Sequence, residues 1–177
     1  MAEKRERVLY DRETISQRVR ELGKELQKEY EGKDLLVIAL LRGSFVFAAD
    51  LVREIDTIME VDFLTTSSYE DSEVSSGQVQ ILDGLRAPIE GRHVLLVDDI
   101  VDSGRTLKAV SEYVASKNPA SLHSVVMLDK PSRREVEFKA DYVAFTIEDV
   151  FIVGCGLNYG PHYRNVPYIF TYEDDEE

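Results

Sequence analysis

Apolar residues recur along the chain in two spacings, which predict helices and strands in alternation. A spacing of three or four residues from Ile15 to Tyr30 predicts an amphipathic helix with Asp11 as its N-cap. Short continuous apolar runs predict strands at 35–41, 61–67, 79–82, 94–97, 124–128, 142–145 and 151–154. Residues 45–55 and 106–117 fit helices between these strands. Strands of this kind separated by helices predict an α/β fold with a mainly parallel sheet covered on both faces.

One polar and acidic segment, residues 67–77 (SSYEDSEVSSG), interrupts this pattern. Its length and composition predict a long loop, either a lid over a site or a simple hairpin connection. The chain contains no internal repeat and no Pro- or Gly-rich linker. We therefore expect residues 1–177 to form a single domain.

Composition narrows the class of protein. The chain has 177 residues, 44% of them hydrophobic, with a formal net charge of −13. That charge argues against nucleic acid as the main partner, because phosphate backbones attract Lys and Arg. The longest apolar run, 35–41, is too short to span a bilayer, and the charged amino terminus does not resemble a secretory signal. With one cysteine, Cys155, no internal disulfide can form, and we expect a cytoplasmic protein without a membrane partner.

The candidate chemistry is concentrated in VLLVDDIVDSGRTL, residues 94–107. Asp98 and Asp99 follow the apolar run, where α/β sheets bind their ligands. A Gly-containing turn, residues 102–106, then leads into a predicted helix. The N–H groups of such a turn and the positive end of the helix converge on one point, which predicts a phosphate site.

Three carboxylates beside a phosphate would repel it unless the ligand also offers hydroxyl groups or a cation. A ribose 5-phosphate meets this requirement, because its 2- and 3-hydroxyls can donate to Asp98 and Asp99. A Mg²⁺ ion would suit the same two carboxylates. Asp102, at the edge of the turn, remains free to accept a proton.

Three other interpretations of this segment are open on the residues alone. An apolar strand that ends in Asp-Asp resembles the Mg²⁺-binding strand of P-loop NTPases, although the chain contains no G-x-x-x-x-G-K-[ST] motif. VLLVDD also resembles the first strand of a receiver domain, although only 80 residues follow Val97. The third is an Asp-rich turn that merely caps a helix.

With these residues in view, VLLVDDIVDSGRTL resembles the phosphoribosyl pyrophosphate (PRPP) motif of the type I phosphoribosyltransferases. Four further segments resemble the bacterial hypoxanthine or hypoxanthine-guanine phosphoribosyltransferases: LLRGSF (40–45), SSY (67–69), LDKPSRR (128–134) and FIVGCGLNYGPHYRNVPYI (151–169). The resemblance implies the type I fold, with a small hood over the base site formed by the N- and C-terminal segments. It implies purine salvage, in which a 6-oxopurine and PRPP give IMP or GMP and pyrophosphate with Mg²⁺ as cofactor. Members of this family are usually homodimers or homotetramers.

The resemblance also implies roles for residues around the phosphate. Those that would bind PRPP through its ribose and 5-phosphate are Asp98, Asp99, Asp102, Ser103, Gly104, Arg105 and Thr106. Asp102 would lie near N7 of the purine and act as general base, and Asp98 and Asp99 would hold the metal. Arg42, Gly43 and Arg164 would bind pyrophosphate, and the peptide before Arg42 is commonly cis in this family.

The base site is implied in the same way. Lys130 would donate to O6 of the purine, Phe151 would stack on the ring, and the backbone of Ile152 would meet its edge. On the pattern alone, Lys130 is a surface lysine and Phe151 a core residue. Ser68 and Tyr69 would open a lid over PRPP.

Asn158, also assigned to the base site, departs from the family pattern, which usually has Asp there. Asn keeps an oxygen ligand but loses the charge, so it would bind a second Mg²⁺ more weakly. If this position acts through its backbone carbonyl, the change has little effect. Two alternative functions share the fold: an RNA-binding regulator, which would need a basic face, and a transferase that prefers another base such as xanthine.

Overall fold

A computed structural model describes residues 4–68 and 78–173, and in it six strands form one sheet. They are β2 (Leu35–Leu41), β3 (Met59–Ser68), β4 (Val79–Asp83), β5 (His93–Val101), β6 (Ser121–Asp129) and β7 (Tyr142–Thr146). Their order is β4-β3-β2-β5-β6-β7, and all neighbours are parallel except β3 and β4. Ten residues separate β3 from β4, too few for the crossover that a parallel pair requires. The predicted α/β fold with a mainly parallel sheet is confirmed.

Helices cover both faces of this sheet. Helices α1 (Arg12–Tyr30) and α2 (Phe45–Val52) pack on one face, and α3 (Arg105–Ala115) packs on the other. The predicted N-cap of α1 is confirmed, since an Asp11 carboxylate oxygen accepts from the Thr14 N–H at 2.8 Å. Each face has its own buried apolar cluster. In the described ranges, no helix has the length and apolar character needed to cross a membrane.

The run FIVG (151–154), predicted as a strand, does not form one. Gly154, Cys155 and Gly156 all have positive φ values, of 104°, 49° and 98°. Positive φ breaks the extended backbone, so the chain makes isolated bridges to Phe170 and Leu157 rather than a continuous ladder. Burial raises the pKa of the Cys155 thiol to about 11, which leaves it protonated and unreactive at neutral pH.

A second sheet joins the two ends of the described chain and was not predicted from the apolar pattern. Strands β1 (Arg5–Tyr10) and β8 (Ile169–Glu173) pair antiparallel, with Val8 opposite Phe170. Most of β1 is exposed, so it lacks the apolar run that reveals a central strand. This pair brings together the terminal segments that the family resemblance assigns to the hood.

Candidate functional site

Asp98 and Asp99 lie within β5 rather than after it, which corrects their predicted position. The ladder between β5 and β6 continues past them to the pair of Val101 with Asp129. The strand extends beyond its apolar run because β6 offers backbone partners over the same length. The two carboxylates therefore stand on a hydrogen-bonded strand, which fixes their backbone firmly.

The predicted phosphate turn connects β5 to α3 and borders a cavity of about 240 Å³. The cavity is lined by Asp98, Asp99, Ile100, Val101, Asp102, Ser103, Gly104, Thr106 and Leu107. Gly104, the N-cap of α3, has a φ of 86° and no side chain that could satisfy the first N–H groups of the helix. Those donors and the positive end of the helix dipole make the cavity suitable for an anion.

The side chain of Arg105 lies outside this cavity. Its Nε donates to a Glu135 carboxylate oxygen at 2.8 Å, and the ion pair is solvent-exposed. Its backbone N–H donates to Ser103 Oγ at 3.3 Å, so the contact of Arg105 with the 5-phosphate stays a prediction.

The carboxylates of Asp98 and Asp99 on β5 lie close together, and each accepts a hydrogen bond from the backbone N–H of the residue that follows it. Asp98 accepts from the Asp99 N–H at 2.9 Å, and Asp99 from the Ile100 N–H at 2.8 Å. Burial, and next the charge of Asp99, raise the pKa of Asp98 well above its ordinary value. Burial raises the pKa of Asp99 as well, although the nearby charge of Arg164 opposes the rise. A hydroxyl donor or a cation in the cavity would relieve this electrostatic cost.

Asp102 combines a shielded oxygen with a nearby cation. Its Oδ1 is inaccessible to solvent and makes no hydrogen bond with the described residues. Arg133 Nε lies 3.4 Å from that oxygen, an ionic contact without hydrogen-bond geometry. The same arginine reaches Asp149 through Nη1 at 3.5 Å. The side chain of Asp102 is nevertheless 47% exposed, which leaves Oδ2 as the oxygen that a ligand could reach.

The predicted pyrophosphate residues surround Asp99. A Cβ atom on Gly43 would overlap Asp99 Oδ2, so only glycine allows this close approach. Arg164 Nη1 donates to the Gly156 carbonyl at 2.6 Å, and a Cβ on Gly156 would overlap the Gly43 carbonyl oxygen. Arg42 is exposed beside them, and the Leu41–Arg42 peptide is cis, as the resemblance implied. Two glycines and an arginine thus wall one side of the carboxylate pair.

Lys130 is buried, contrary to the expectation from its residue type. It is 7% exposed, and its Nζ lies 3.9 Å from an Asp149 carboxylate oxygen. Its N–H donates to the Val101 carbonyl at 3.1 Å, which ties it to the end of β5. A buried lysine needs a polar partner, and this weak pair leaves donors for a further acceptor.

Phe151 is 54% exposed, whereas periodicity alone made it a core residue. It meets Tyr159 edge-on with ring centroids 5.4 Å apart, and the next residue, Ile152, is buried. Asn158 Nδ2 donates to the Gly160 carbonyl at 2.7 Å. A carboxylate could not make this bond, because it has no proton to donate. An exposed ring is thus available for stacking, and the amide of Asn158 stabilises its own turn.

The predicted lid falls largely outside the described residues. Ser68 is the last residue of β3, and Tyr69 lies outside. A lid role for Ser68 and Tyr69 therefore stays a prediction.

Sequence reasoning missed Arg133, Arg134 and Gly156, although all three lie in motifs that it quoted. Arg134 Nη1 donates to the Asp102 carbonyl at 2.8 Å, and Arg133 contacts the Asp102 carboxylate. The signal for the two arginines was their position three and four residues after Lys130, a predicted base contact, but a sequence does not show which way each side chain points.

Comparison with known proteins gives a consistent result. A sequence profile described as phosphoribosyl transferase domain matches residues 8–160. A hypoxanthine-guanine phosphoribosyltransferase of Bacillus subtilis is 46% identical over 164 residues, covering 93% of this chain and 91% of that protein. A crystal structure of a hypoxanthine phosphoribosyltransferase from Staphylococcus aureus superposes with a TM-score of 0.90 at 43% identity. It covers 94% of this chain and 91% of that one.

Some relatives are much longer. The bifunctional protein TilS/HprT of Listeria monocytogenes is 45% identical over 164 residues, which are 93% of this chain. The matched region is 25% of that protein, so the chain spans about a quarter of its length.

Proposed function

This chain belongs to the phosphoribosyltransferase family, and from that premise we propose that it is a purine-salvage enzyme. It transfers the 5-phosphoribosyl group of PRPP to N9 of a 6-oxopurine, hypoxanthine or guanine, and releases pyrophosphate. The observation that carries this proposal is the cavity in which a helix N-terminus and turn adjoin the paired carboxylates of Asp98 and Asp99. The similarity to hypoxanthine-guanine phosphoribosyltransferases supports the choice of base.

PRPP would bind with its 5-phosphate on the turn 102–104 and the start of α3. Its ribose hydroxyls would donate to Asp98 and Asp99, whose burial makes a neutral donor favourable. Its pyrophosphate would face Arg164 and the Arg42–Gly43 segment, where the arginines supply positive charge.

Mg²⁺ is the proposed cofactor. Asp98 and Asp99 fit it, since carboxylate oxygens are its preferred protein ligands and burial together with the charge of Asp99 disfavours the ionised form of Asp98 unless a cation is bound. In the described part of the chain, no three His, Cys, Asp or Glu side chains form a metal-binding group. The two aspartates would therefore share the ion with oxygens of the substrate. Bound there, Mg²⁺ would offset the charge of the departing pyrophosphate.

The transfer step forms a bond from N9 to the anomeric carbon and breaks the bond from that carbon to pyrophosphate. The purine loses its N7 proton as this happens, and we assign its acceptor to Asp102. The position of Asp102 supports this role, since its side chain is 47% exposed at the cavity and Oδ2 is the oxygen that protein atoms leave open. The neighbouring Arg133 contacts the other oxygen, Oδ1, at 3.4 Å.

Lys130 would donate a hydrogen bond to O6 of the purine. This contact selects 6-oxopurines, because a 6-amino group is itself a donor and would face the lysine ammonium, another donor. The exposed ring of Phe151 would stack on the base, and the Ile152 backbone would meet its edge. Asn158 donates its amide to Gly160, so its Oδ1 is the atom left for a ligand. A carbonyl oxygen without charge would hold a second metal weakly.

A panel of purine bases tests the function. Purified protein is incubated with PRPP, Mg²⁺ and hypoxanthine, guanine, xanthine or adenine, and nucleotide formation is followed. We expect turnover with hypoxanthine or guanine, none with adenine, and loss of turnover when Mg²⁺ is chelated. Exclusive use of xanthine would replace the assigned base. No turnover with any base, together with retention of labelled RNA on a filter, would favour the RNA-binding alternative.

We further propose that the protein is a homodimer or homotetramer. Val61 and Phe63 on β3 and Leu82 on β4 form an edge patch whose side chains are 38%, 48% and 60% exposed. Val61 and Phe63 are in register with Val37 and Ala39, so they extend the sheet face that α1 and α2 cover elsewhere. Apolar side chains grouped at a sheet edge mark a contact surface, and a second copy is the occupant that we assign.

Phe63→Glu should therefore lower the oligomeric state. Light scattering after size exclusion should give at least a dimer for the wild type and a smaller mass for the variant, because the glutamate would bury a charge in the contact. Val8→Glu, at another exposed apolar position, should leave the mass unchanged. A monomeric wild type, or a variant of wild-type mass, would contradict the assigned surface.

The predicted cytoplasmic location is part of the same proposal. PRPP carries several negative charges, and charged groups enter a lipid bilayer only at high cost. An enzyme that consumes it is expected in the compartment where PRPP is made.

A further inference from the structure

The segment after Lys130 forms hydrogen bonds with the phosphate turn, residues 102–104, on the side away from the cavity. Arg134 Nη1 donates to the Asp102 carbonyl at 2.8 Å. The N–H groups of Glu135 and Val136 donate to the Ser103 carbonyl at 2.9 and 3.3 Å. Two consecutive carbonyls of the turn are thus bound by three donors from one short stretch of chain.

Peptide geometry converts these bonds into an orientation of the turn. In a planar trans peptide, the carbonyl and the following N–H point in opposite directions. A donor that binds the Asp102 carbonyl on the side away from the cavity directs the Ser103 N–H toward the cavity. The donors on the Ser103 carbonyl direct the Gly104 N–H in the same way. Ser103 and Gly104 line the cavity, whereas Arg134 does not. The two N–H groups that a phosphate needs are therefore directed by contacts on the opposite side of the turn.

Arg134 is itself held in place. Its Nη2 donates to an Asp129 carboxylate oxygen, and the two side chains are 17% and 13% exposed. Asp129 is the last residue of β6 and pairs with Val101, the last residue of β5. A Cβ on Gly104 would lie 2.9 Å from Arg134 Cδ, so the arginine stem packs directly on the turn. The guanidinium thus connects the turn to the sheet.

We propose that Arg134, held by Asp129, is a positioning residue that fixes the phosphate turn in its ligand-binding conformation. This inference rests on the proposed function, because it assigns the turn to the 5-phosphate of PRPP. Arg134 contacts the turn and not the cavity, so it acts through the orientation of the Ser103 and Gly104 N–H groups. Its planar fork reaches Asp102 and Asp129 together, which a lysine ammonium cannot reproduce with the same geometry.

Arg134→Met tests the role, because methionine keeps an apolar stem against Gly104 and removes both hydrogen bonds. We expect the Kd for ribose 5-phosphate, measured by calorimetry, and the KM for PRPP to rise at least tenfold. The KM for the purine base should stay within about twofold of wild type. Asp129→Asn should act in the same direction with a smaller effect, since it weakens the hold on Arg134. Arg53→Met, at an exposed arginine paired with Asp50, is the matched control and should change neither constant.

The outcomes separate the inference from the function it rests on. If the wild type neither binds ribose 5-phosphate nor uses PRPP, the proposed function is wrong. If the wild type does both and folded Arg134→Met is unchanged, or loses affinity equally for base and PRPP, the positioning role is wrong. Thermal unfolding shows whether each variant is folded. Should Arg134→Met not fold, Asp129→Asn decides, and an unchanged Kd there would overturn the proposal.

Discussion

Asp102→Asn is expected to lower turnover by about 10²- to 10⁴-fold, the usual contribution of a general base, with little change in the KM for PRPP. Asparagine has nearly the same shape but cannot take up the N7 proton of the purine. The structure supports this carboxylate because it lines the cavity and its side chain is 47% exposed, with Oδ1 against Arg133 and Oδ2 open to a ligand. The backbone of Asp102, which belongs to the phosphate turn, is unchanged by the substitution.

Steady-state kinetics with each substrate varied in turn measures this effect. Asp50→Asn is a matched control, since Asp50 also pairs with an arginine, 2.7 Å away, but lies on α2 and outside the cavity. It should leave turnover unchanged. A wild-type rate for Asp102→Asn would remove the general-base role, and a large rise in the KM for PRPP would instead assign Asp102 to substrate binding.

Lys130→Ala is expected to raise the KM for hypoxanthine by about ten- to a hundredfold while PRPP binding is largely kept. A hydrogen bond from a charged donor contributes about 1.5–3 kcal/mol, and the O6 atom of the bound base would lose that donor. The lysine is 7% exposed and its backbone is bonded to Val101, so the donor is held in place before the base arrives.

Truncation of a buried side chain also removes packing, so a second variant is needed. Lys130→Met keeps most of the buried volume and removes only the charged donor, and it should reproduce the loss in base affinity. Equal losses for PRPP and base in both variants would count against the O6 contact. Recovery of base affinity in Lys130→Met would show that packing, rather than the hydrogen bond, was responsible.

Local chemistry explains what was predictable. The N-cap at Asp11, the apolar stripe of α1 and the turn at 102–104 each depend on residues within a few positions of one another. The run VLLV predicted a buried strand, and the Ser-Gly-Arg-Thr that follows Asp102 predicted a helix start with free N–H groups. The resemblance built on these residues led to the correct family and fold.

The failures concern partners far apart in the chain. FIVG has the composition of a strand, but the positive φ values of Gly154 and the two residues after it break the extended backbone, so the run makes only isolated bridges. The exposed β1 is a strand only because β8 pairs with it. Phe151 is exposed although its residue type suggests burial, and Lys130 is buried although its residue type suggests exposure. Both environments are set by other segments of the chain.

The sequence by itself determined the strands of the central sheet, the helices between them, and the turn with the acidic residues before it, because periodicity, capping and turn chemistry are local properties. Tertiary structure alone decided that Gly43 lies against Asp99, that Gly156 lies against Gly43, and that Arg134 holds the Asp102 carbonyl. These contacts join segments 30 to more than 100 residues apart. Such distances close only when the sheet brings its strands side by side and helices cover both of its faces, so no local pattern records them.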